Sequence, residues 1–354
     1  MEFSLFYFSN NDEGQGSREP YRILLEGAAF ADAHGFAAIW TPERHFHAFG
    51  GTYPNPAVTG AAIAGLTKRI KIRAGSVVAP LHHPIRIAEE WSVVDNMSGG
   101  RVGISFASGW HPIDFTLSNI PYGDRKQAML DIVESVRGMW RGDPYESGSP
   151  NSAPVRVFPR PVQPELPVWL TSGGTAETFR AAATAKAGVL THLLHQDVDQ
   201  LATNIAEYRA KMRATYPDWS GHVVVMLHSF LAETRESARA AVHQPLRDYL
   251  RSSLELVARS MRDVGPDFDV RSLEEEDLDF VLERAFSMYF NERGIFGTVD
   301  DAVPLVERLR EIGVDEIACL IDFGVDVELA LEGLHRIDAL RRRFAAGGGS
   351  REHQ

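Results

Sequence analysis

IKIRAGSVVAPLHHPIRIAEEWSVVDNMSGGRVGISFA, residues 70–107, reads as a strand, a helix and a second strand in succession. Ile70–Val78 is a short apolar run rich in β-branched residues, the pattern of a strand buried on both faces. Pro84 pre-sets the first helical turn, and Ile87, Ala88, Trp91 and Val94 then recur at helical spacing on one face. Ser98, Gly99 and Gly100 end the helix, glycine being the residue that takes a left-handed C-cap without steric cost. RVGISFA then resumes the apolar pattern. Two buried strands joined by a helical crossover lie parallel in one sheet, with the helix on its face.

The same alternation extends in both directions. FSLFYF (3–8) leads through a polar loop to a helix opened by Pro20, with Leu24, Ala28 and Ala31 on one face and Gly35 as its cap, and then to the strand FAAIW (36–40). Downstream come PVWLTS (167–172), GVLTHLL (188–194), HVVVMLHSFL (222–231) and DEIACLIDF (315–323). A helix carrying Val198, Leu201, Ile205, Tyr208 and Met212 on one stripe lies among them. Eight strands alternating with helices predict an α/β fold, a closed (β/α)8 TIM barrel; an open doubly wound sheet is the alternative, since strand order is not written in a sequence. One barrel domain is expected over residues 1–345, with 346–354 a flexible tail.

Two stretches depart from regular spacing, and both predict insertions. After the fourth strand, seven prolines between Pro144 and Pro167 imply an extended surface excursion. After the seventh, residues 233–293 are helical in pattern, carry the acidic run at 274–277 and are too long for one crossover helix, so they could serve as a lid.

A net charge of −12 makes nucleic acid or an anionic membrane a poor partner for the surface as a whole. A single cysteine, Cys319, set among apolar residues, excludes an internal disulfide and suits a reducing compartment. With no signal-like start and no apolar stretch of the ~20 residues that span a bilayer, the expected location is the cytoplasm.

Eight of the thirteen histidines (His45, His47, His82, His83, His111, His192, His195 and His228) fall just past strand ends, the face on which such barrels do their chemistry. TPERHFHAFGGTYPNP (41–56) offers His45 as an acid or base with Glu43 to set its tautomer, and Arg44 as an anion holder; ordinary hydrogen-bonded packing is the plainer alternative. Gly75 and Ser76 interrupt a buried strand, as backbone approached by a ligand does, or a bulge. Ser108 and Gly109 form a small-residue turn before Trp110, His111 and Asp114. Ser172, Gly173 and Gly174 precede a helix starting near Thr175, where backbone N–H groups and the helix dipole hold anions; a plain strand-to-helix turn capped by Thr175 remains open. A metal-dependent hydrolase would use His45, His47, His192, His195 and Asp322, but its paired histidines belong on the first strand, and FSLFYF has none. No metal is expected.

PERHFHAFGGTYPNP, AGSVVAPLHHPIRIAEEWSVVDNMSGGRV and WLTSGGTAETFRAAA together resemble the bacterial luciferase-like flavin monooxygenases over nearly the whole chain, nearest the branch tied to polyketide and nonribosomal peptide assembly lines. The resemblance implies an FMN-dependent two-component monooxygenase. It would take reduced flavin from a separate reductase and use oxygen to oxygenate a small-molecule or carrier-bound substrate in natural-product biosynthesis, commonly as a homodimer, to which Trp91 could contribute. It implies His45 as the proton-transfer group and places Arg44 where relatives carry histidine, there to steer an anionic substrate or stabilise peroxide charge. It further implies a cis peptide between Gly75 and Ser76 behind the flavin, and phosphate contacts at Ser108, Gly109, Ser172, Gly173, Gly174, Thr175 and Thr178. Ser108 stands where many relatives have arginine. His82, His83, Trp110, His111, His192 and His195 would line the substrate side, with Phe46, Phe49, Tyr53 and Trp110 keeping it dry. The alternatives are a deazaflavin-dependent dehydrogenase and a non-catalytic flavin-binding subunit.

Overall fold

The computed structural model describes residues 1–9, 19–47, 49–146, 153–194, 196–261 and 275–345. Strands β1 (Glu2–Phe6), β2 (Ala38–Thr41), β3 (Lys71–Val78), β4 (Val102–Ala107), β5 (Val168–Ser172), β6 (Gly188–His192) and β7 (Val223–Leu231) pair in chain order, all parallel. A three-residue strand, β8 (Ile295–Gly297), attaches to the far end of β7, and β9 (Glu316–Leu320) lies between β7 and β1. The β9–β1 ladder runs from Glu2 opposite Glu316 to Phe6 opposite Leu320, which closes the barrel and rules out an open sheet.

Helices α1 (Glu19–His34), α2 (Pro56–Leu66), α3 (Pro84–Ser98), α4 (Arg125–Arg141), α5 (Ala176–Thr184), α6 (Val198–Thr215), α7 (Arg235–Met261), α8 (Glu275–Met288), α9 (Val299–Glu311) and α10 (Val327–Ala345) surround it. The stripes read from the sequence face inward: Leu24, Ala28 and Ala31, Ile87, Ala88, Trp91 and Val94, and Leu201, Ile205, Tyr208 and Met212 are all buried. Gly99 caps α3 in the left-handed region, φ 69°. Of the two roles open to Trp91, core and dimer surface, it takes the core. Cys319 is enclosed, and burial pushes its thiol up to about 12, an inert group.

The ninth strand was not expected. β7 is long enough to be shared: its first part pairs with β6 and β9, and Ser229–Leu231 pairs with Ile295–Gly297. The proline-rich excursion is pinned to the end of α3, where the buried Asp95 carboxylate accepts from the Val162 and Gln163 N–H groups at 2.7 and 2.9 Å. In the second insertion α7 and α8 are joined by Arg239 and His243 on Glu283, and Tyr249 of α7 reaches the barrel mouth against Phe49 and His228, ring centroids 4.7 and 4.6 Å away. The tail at 346–354 lies outside the described residues. Among the described residues no helix is long and apolar enough to cross a membrane.

The N-terminal end of the barrel is plugged by charge. Glu316, wholly buried, accepts from Trp40 Nε1 (2.8 Å) and Arg73 Nη1 (2.6 Å), and the Arg73 guanidinium lies over both Trp40 and Trp169. Burial pushes the Glu316 carboxyl up, but Arg73, His222, Ser4 and Trp40 outweigh it and hold the group below its ordinary range. Glu2, His222 and Glu316 are close enough to suggest a metal cluster. However, His222 Nδ1 accepts from Trp169 Nε1 (3.0 Å), which puts the proton on Nε2, directed at the two carboxylates. A metal needs that nitrogen's lone pair, so the cluster is an ion network.

Candidate active site

At the opposite end, the loop after β2 carries Glu43, Arg44 and His45. Glu43 is buried, and its carboxylate ties three segments together: Oε2 accepts from the Val78 N–H (2.8 Å), and Oε1 accepts from His45 Nε2 (2.8 Å) and His82 Nε2 (2.7 Å). Burial raises the Glu43 carboxyl, but the hydrogen bonds from His45 and His82 prevail and keep it ionised. A carboxylate can only accept, so both imidazoles carry a proton on Nε2, leaving Nδ1 of His45 as its exchangeable position. Burial lowers His82, but Glu43 more than compensates and raises it.

Arg44 points away from this pair. It is 3% exposed, its Nη1 lies 3.5 Å from Asp114 Oδ2, and its Cζ sits 4.7 Å from the centre of the Trp110 ring. Among the described residues its Nε and Nη2 have no hydrogen-bond partner. Burial lowers its basicity despite Asp114, and burial likewise raises Asp114 despite Arg44 and His111. Nearby, Asp322 accepts from the Phe8 N–H (2.8 Å) and the Tyr53 hydroxyl (3.1 Å), yet burial pushes its carboxyl up to about 6. His228 is enclosed by Tyr249, Tyr289 and Phe323; burial, then His192, lowers it to about 3, so it is neutral.

The peptide between Gly75 and Ser76 is cis. A Cβ on Gly75 would come within 2.7 Å of Phe6, so close packing beneath the strand requires glycine here. The Ser76 hydroxyl meets Thr171, which in turn meets Ser105 at 2.7 Å, giving a row of hydroxyls across β3, β5 and β4.

Residues 1–316 match the family described as luciferase-like monooxygenase. The chain belongs to that family. It is an enzyme, a luciferase-like flavin-dependent monooxygenase. Over its whole length it is 23% identical to the oxygenase component of the flavin-dependent trigonelline monooxygenase of Acinetobacter baylyi, covering 98% of that protein. In fold it resembles monooxygenase RslO1 from Streptomyces bottropensis, with TM-score 0.78 and 22% identity over 98% of this chain and 100% of that one. It also resembles the FMN-bound oxygenating constituent of 3,6-diketocamphane monooxygenase from Pseudomonas putida, with TM-score 0.72 and 18% identity over 96% and 97% of the two chains.

The strand ends of this luciferase-like monooxygenase fit a phosphorylated flavin. Gly173 has nothing within 4 Å of where a Cβ would stand, leaving open space beside the start of α5. Thr175 occupies the N-cap position but makes no side-chain cap bond, its hydroxyl meeting Thr178 at 2.9 Å instead. Gly174 N–H is taken by Ser172 (3.1 Å) and Gly174 O by Asn204 Nδ2 (3.0 Å), which fixes the turn from behind. Positive charge absent at Ser108 is present on α4: Arg125 Nε donates to Gly109 O (3.1 Å), and Lys126 pairs with Glu177 in the first turn of α5 (2.6 Å).

Most of the other strand-end histidines make local contacts of their own. His83 is exposed, caps α3 by accepting from the Ile85 N–H and faces Tyr145, away from the mouth. His47 accepts from the Phe49 N–H and shapes its own loop. His192 accepts from the Leu194 N–H at the end of β6. His111 packs against Trp110, with Nδ1 3.5 Å from Asp114. His195 lies outside the described residues. Of the four aromatics expected to exclude water, Phe49 and Tyr53 are buried, whereas Phe46 and Trp110 are 58% and 47% exposed. Sequence reasoning missed the sharing of Glu43 by His45 and His82, the enclosure of His228 and the reach of Tyr249. The first had a signal, a glutamate two residues before a histidine; the others need the folded chain.

Proposed function

We propose that the protein is the oxygenase component of a two-component system, using FMN reduced by a separate reductase to oxygenate an organic substrate, small or carrier-bound, in natural-product biosynthesis. The observation that carries this reading is the open, uncapped glycine turn at the start of α5, facing the same mouth as a histidine locked in one tautomer by Glu43. Bound reduced flavin would supply the electrons that activate oxygen. Ser172, Gly173, Thr175 and Thr178, with Ser108 and Gly109, would hold its phosphate through backbone N–H and hydroxyl groups, while Gly174, its N–H taken by Ser172, shapes the turn, an arrangement that suits an acidic protein. Gly75 and Ser76 would back the ring.

His45 would move a proton at Nδ1 while Glu43 keeps Nε2 protonated and the ring oriented. Phe49, Tyr53 and Tyr249 exclude water from the base of the mouth, while His82, Trp110, His111 and His192 would border the substrate. The FMN-bound state of one structural relative and the oxygenase-component role of the full-length relative support this reading. We further propose that it works in the cytoplasm as a homodimer.

In H45A, product formation with a reductase and FMN should fall on the order of 100-fold or more, while the FMN dissociation constant stays within about twofold. Equal loss of both would remove His45 from the chemistry. Titration with FMN and a deazaflavin in parallel tests the cofactor, and tighter deazaflavin binding would overturn the oxygenase reading in favour of hydride transfer.

A further inference from the structure

Two arginines of this chain are buried deeply enough that water does little for them, and they are treated in opposite ways. Arg101, 7% exposed, spends its whole guanidinium on protein acceptors: Nε on Ser98 O (2.7 Å), Nη1 on Thr67 Oγ1 (3.0 Å) and Ile70 O (2.6 Å), and Nη2 on Thr67 O (2.9 Å) and Ala64 O (3.4 Å). That is what a structural arginine requires, because an unpaired buried donor forfeits its hydration with no return. Arg44, 3% exposed, has one loose ion pair, Nη1 to Asp114 at 3.5 Å, and among the described residues its Nε and Nη2 are without hydrogen-bond partners.

The two unpartnered nitrogens are chemically specific. Nε–H and Nη2–H lie side by side on one edge of the planar guanidinium, spaced to meet the two oxygens of a carboxylate in parallel. Asp114 is on the Nη1 side and does not occupy that edge, and Trp110 packs on the face of the plane rather than the edge. The edge is therefore held in position, dehydrated and uncommitted. Arg44 is carried on the same loop as Glu43 and His45, at the C-terminal end of the barrel.

We infer that Arg44 is the recognition group for a carboxylate on the substrate, gripped two-pronged through Nε and Nη2, so that the enzyme oxygenates organic acids and discriminates against their neutral analogues. The inference rests on the oxygenase reading of the same mouth. The fork grips carboxylate and phosphate alike; a phosphate would bring a further oxygen and a second charge beside Asp114, which already stands 3.5 Å from Nη1, whereas a planar monoanion would not. Within this assignment Arg44 is a specificity residue. In a site closed to water the ion pair is strong, and the neutral analogue would leave the fork unsatisfied.

The test uses benzoate as the carboxylate probe, benzamide as its neutral isostere and inorganic phosphate as the competing oxyanion. Binding to the full chain is followed by intrinsic tryptophan fluorescence, since Trp110 lies against Arg44, with and without oxidised FMN. The expected result is at least a tenfold preference for benzoate over benzamide in the unaltered protein, reduced to within twofold in R44M and intermediate in R44K, with FMN affinity unchanged in both variants. R44K keeps the charge without the fork, so it remains informative if R44M folds poorly. Equal binding of the two probes, no benzoate binding, full preference retained in R44K, or phosphate outcompeting benzoate would each overturn the assignment. FMN binding is scored separately, so failure of the flavin reading would appear as lost FMN affinity with the probe preference intact.

Discussion

The two ends of the barrel bury the same kinds of groups and settle them differently. At the N-terminal end Glu316 is surrounded by Arg73, Trp40, Ser4 and His222 and is held ionised. At the C-terminal mouth two Arg44 donors, His228 Nε2 and the Tyr289 hydroxyl lack hydrogen-bond partners among the described residues, and Asp322 and Asp114 are pushed toward protonation. A buried polar group that is fully paired stabilises one fold; a buried polar group left short is poised for something that arrives later. Ser4 Oγ, at the N-terminal end, also lacks a hydrogen-bond partner among the described residues, so the contrast lies in the charged groups: Glu316 is saturated and Arg44 is not.

Breaking the saturated end should have the largest effect. E316A would leave Arg73 buried against two indoles with no carboxylate, and should lower unfolding free energy by about 3 to 5 kcal/mol, read by urea denaturation, while leaving FMN affinity of the folded fraction unchanged. A loss below about 1 kcal/mol would abolish the distinction between the ends.

The next effect has a sign. Glu316, held down, contributes stability above its ordinary 4.5 that is lost as pH falls. Asp322, raised from 3.8 to about 6, acts oppositely: the folded form holds its proton more tightly, so the contribution is full below 3.8 and is lost as pH rises through 6. D322N should remove that decline, flattening stability between about pH 4 and pH 6 by on the order of 3 kcal/mol. A pH profile identical to that of the unaltered protein would show that Asp322 does not titrate in this window. Smallest of all, H222Q should cost less than about 1 kcal/mol, because His222 Nε2 stands 3.7 and 3.8 Å from its carboxylates. A larger loss, or stabilisation by added zinc, would revive the metal reading.

Much of this was legible in the chain because barrel strands are short apolar runs set off by glycine and proline, and all eight were readable by that rule. β8 was not, since Ile295–Gly297 is too short to show a period and exists only because β7 has length to spare. Local pattern singled out Arg44, His45, Gly75 and Ser76, while the cis bond between the last two followed only from the family resemblance. The neighbours His82 and His83 could not be told apart: one turns in to Glu43 and the other caps α3 outside, a choice made by the path of the backbone. Glu43 itself joins residues 39 positions apart, beyond the reach of any periodicity.

The split pairing of β7 has a consequence for how this chain can diverge. Ser229–Leu231 and Ile295–Gly297 lie side by side and parallel, so the chain between them departs past Leu231 and comes back in opposite Ser229, both on the same three-residue ladder. A cassette anchored in that way can be lengthened, shortened or exchanged at little expense to its host, each doubling of a closed loop adding only about 0.6 kcal/mol. The barrel can stay constant while the inserted segment is redrawn.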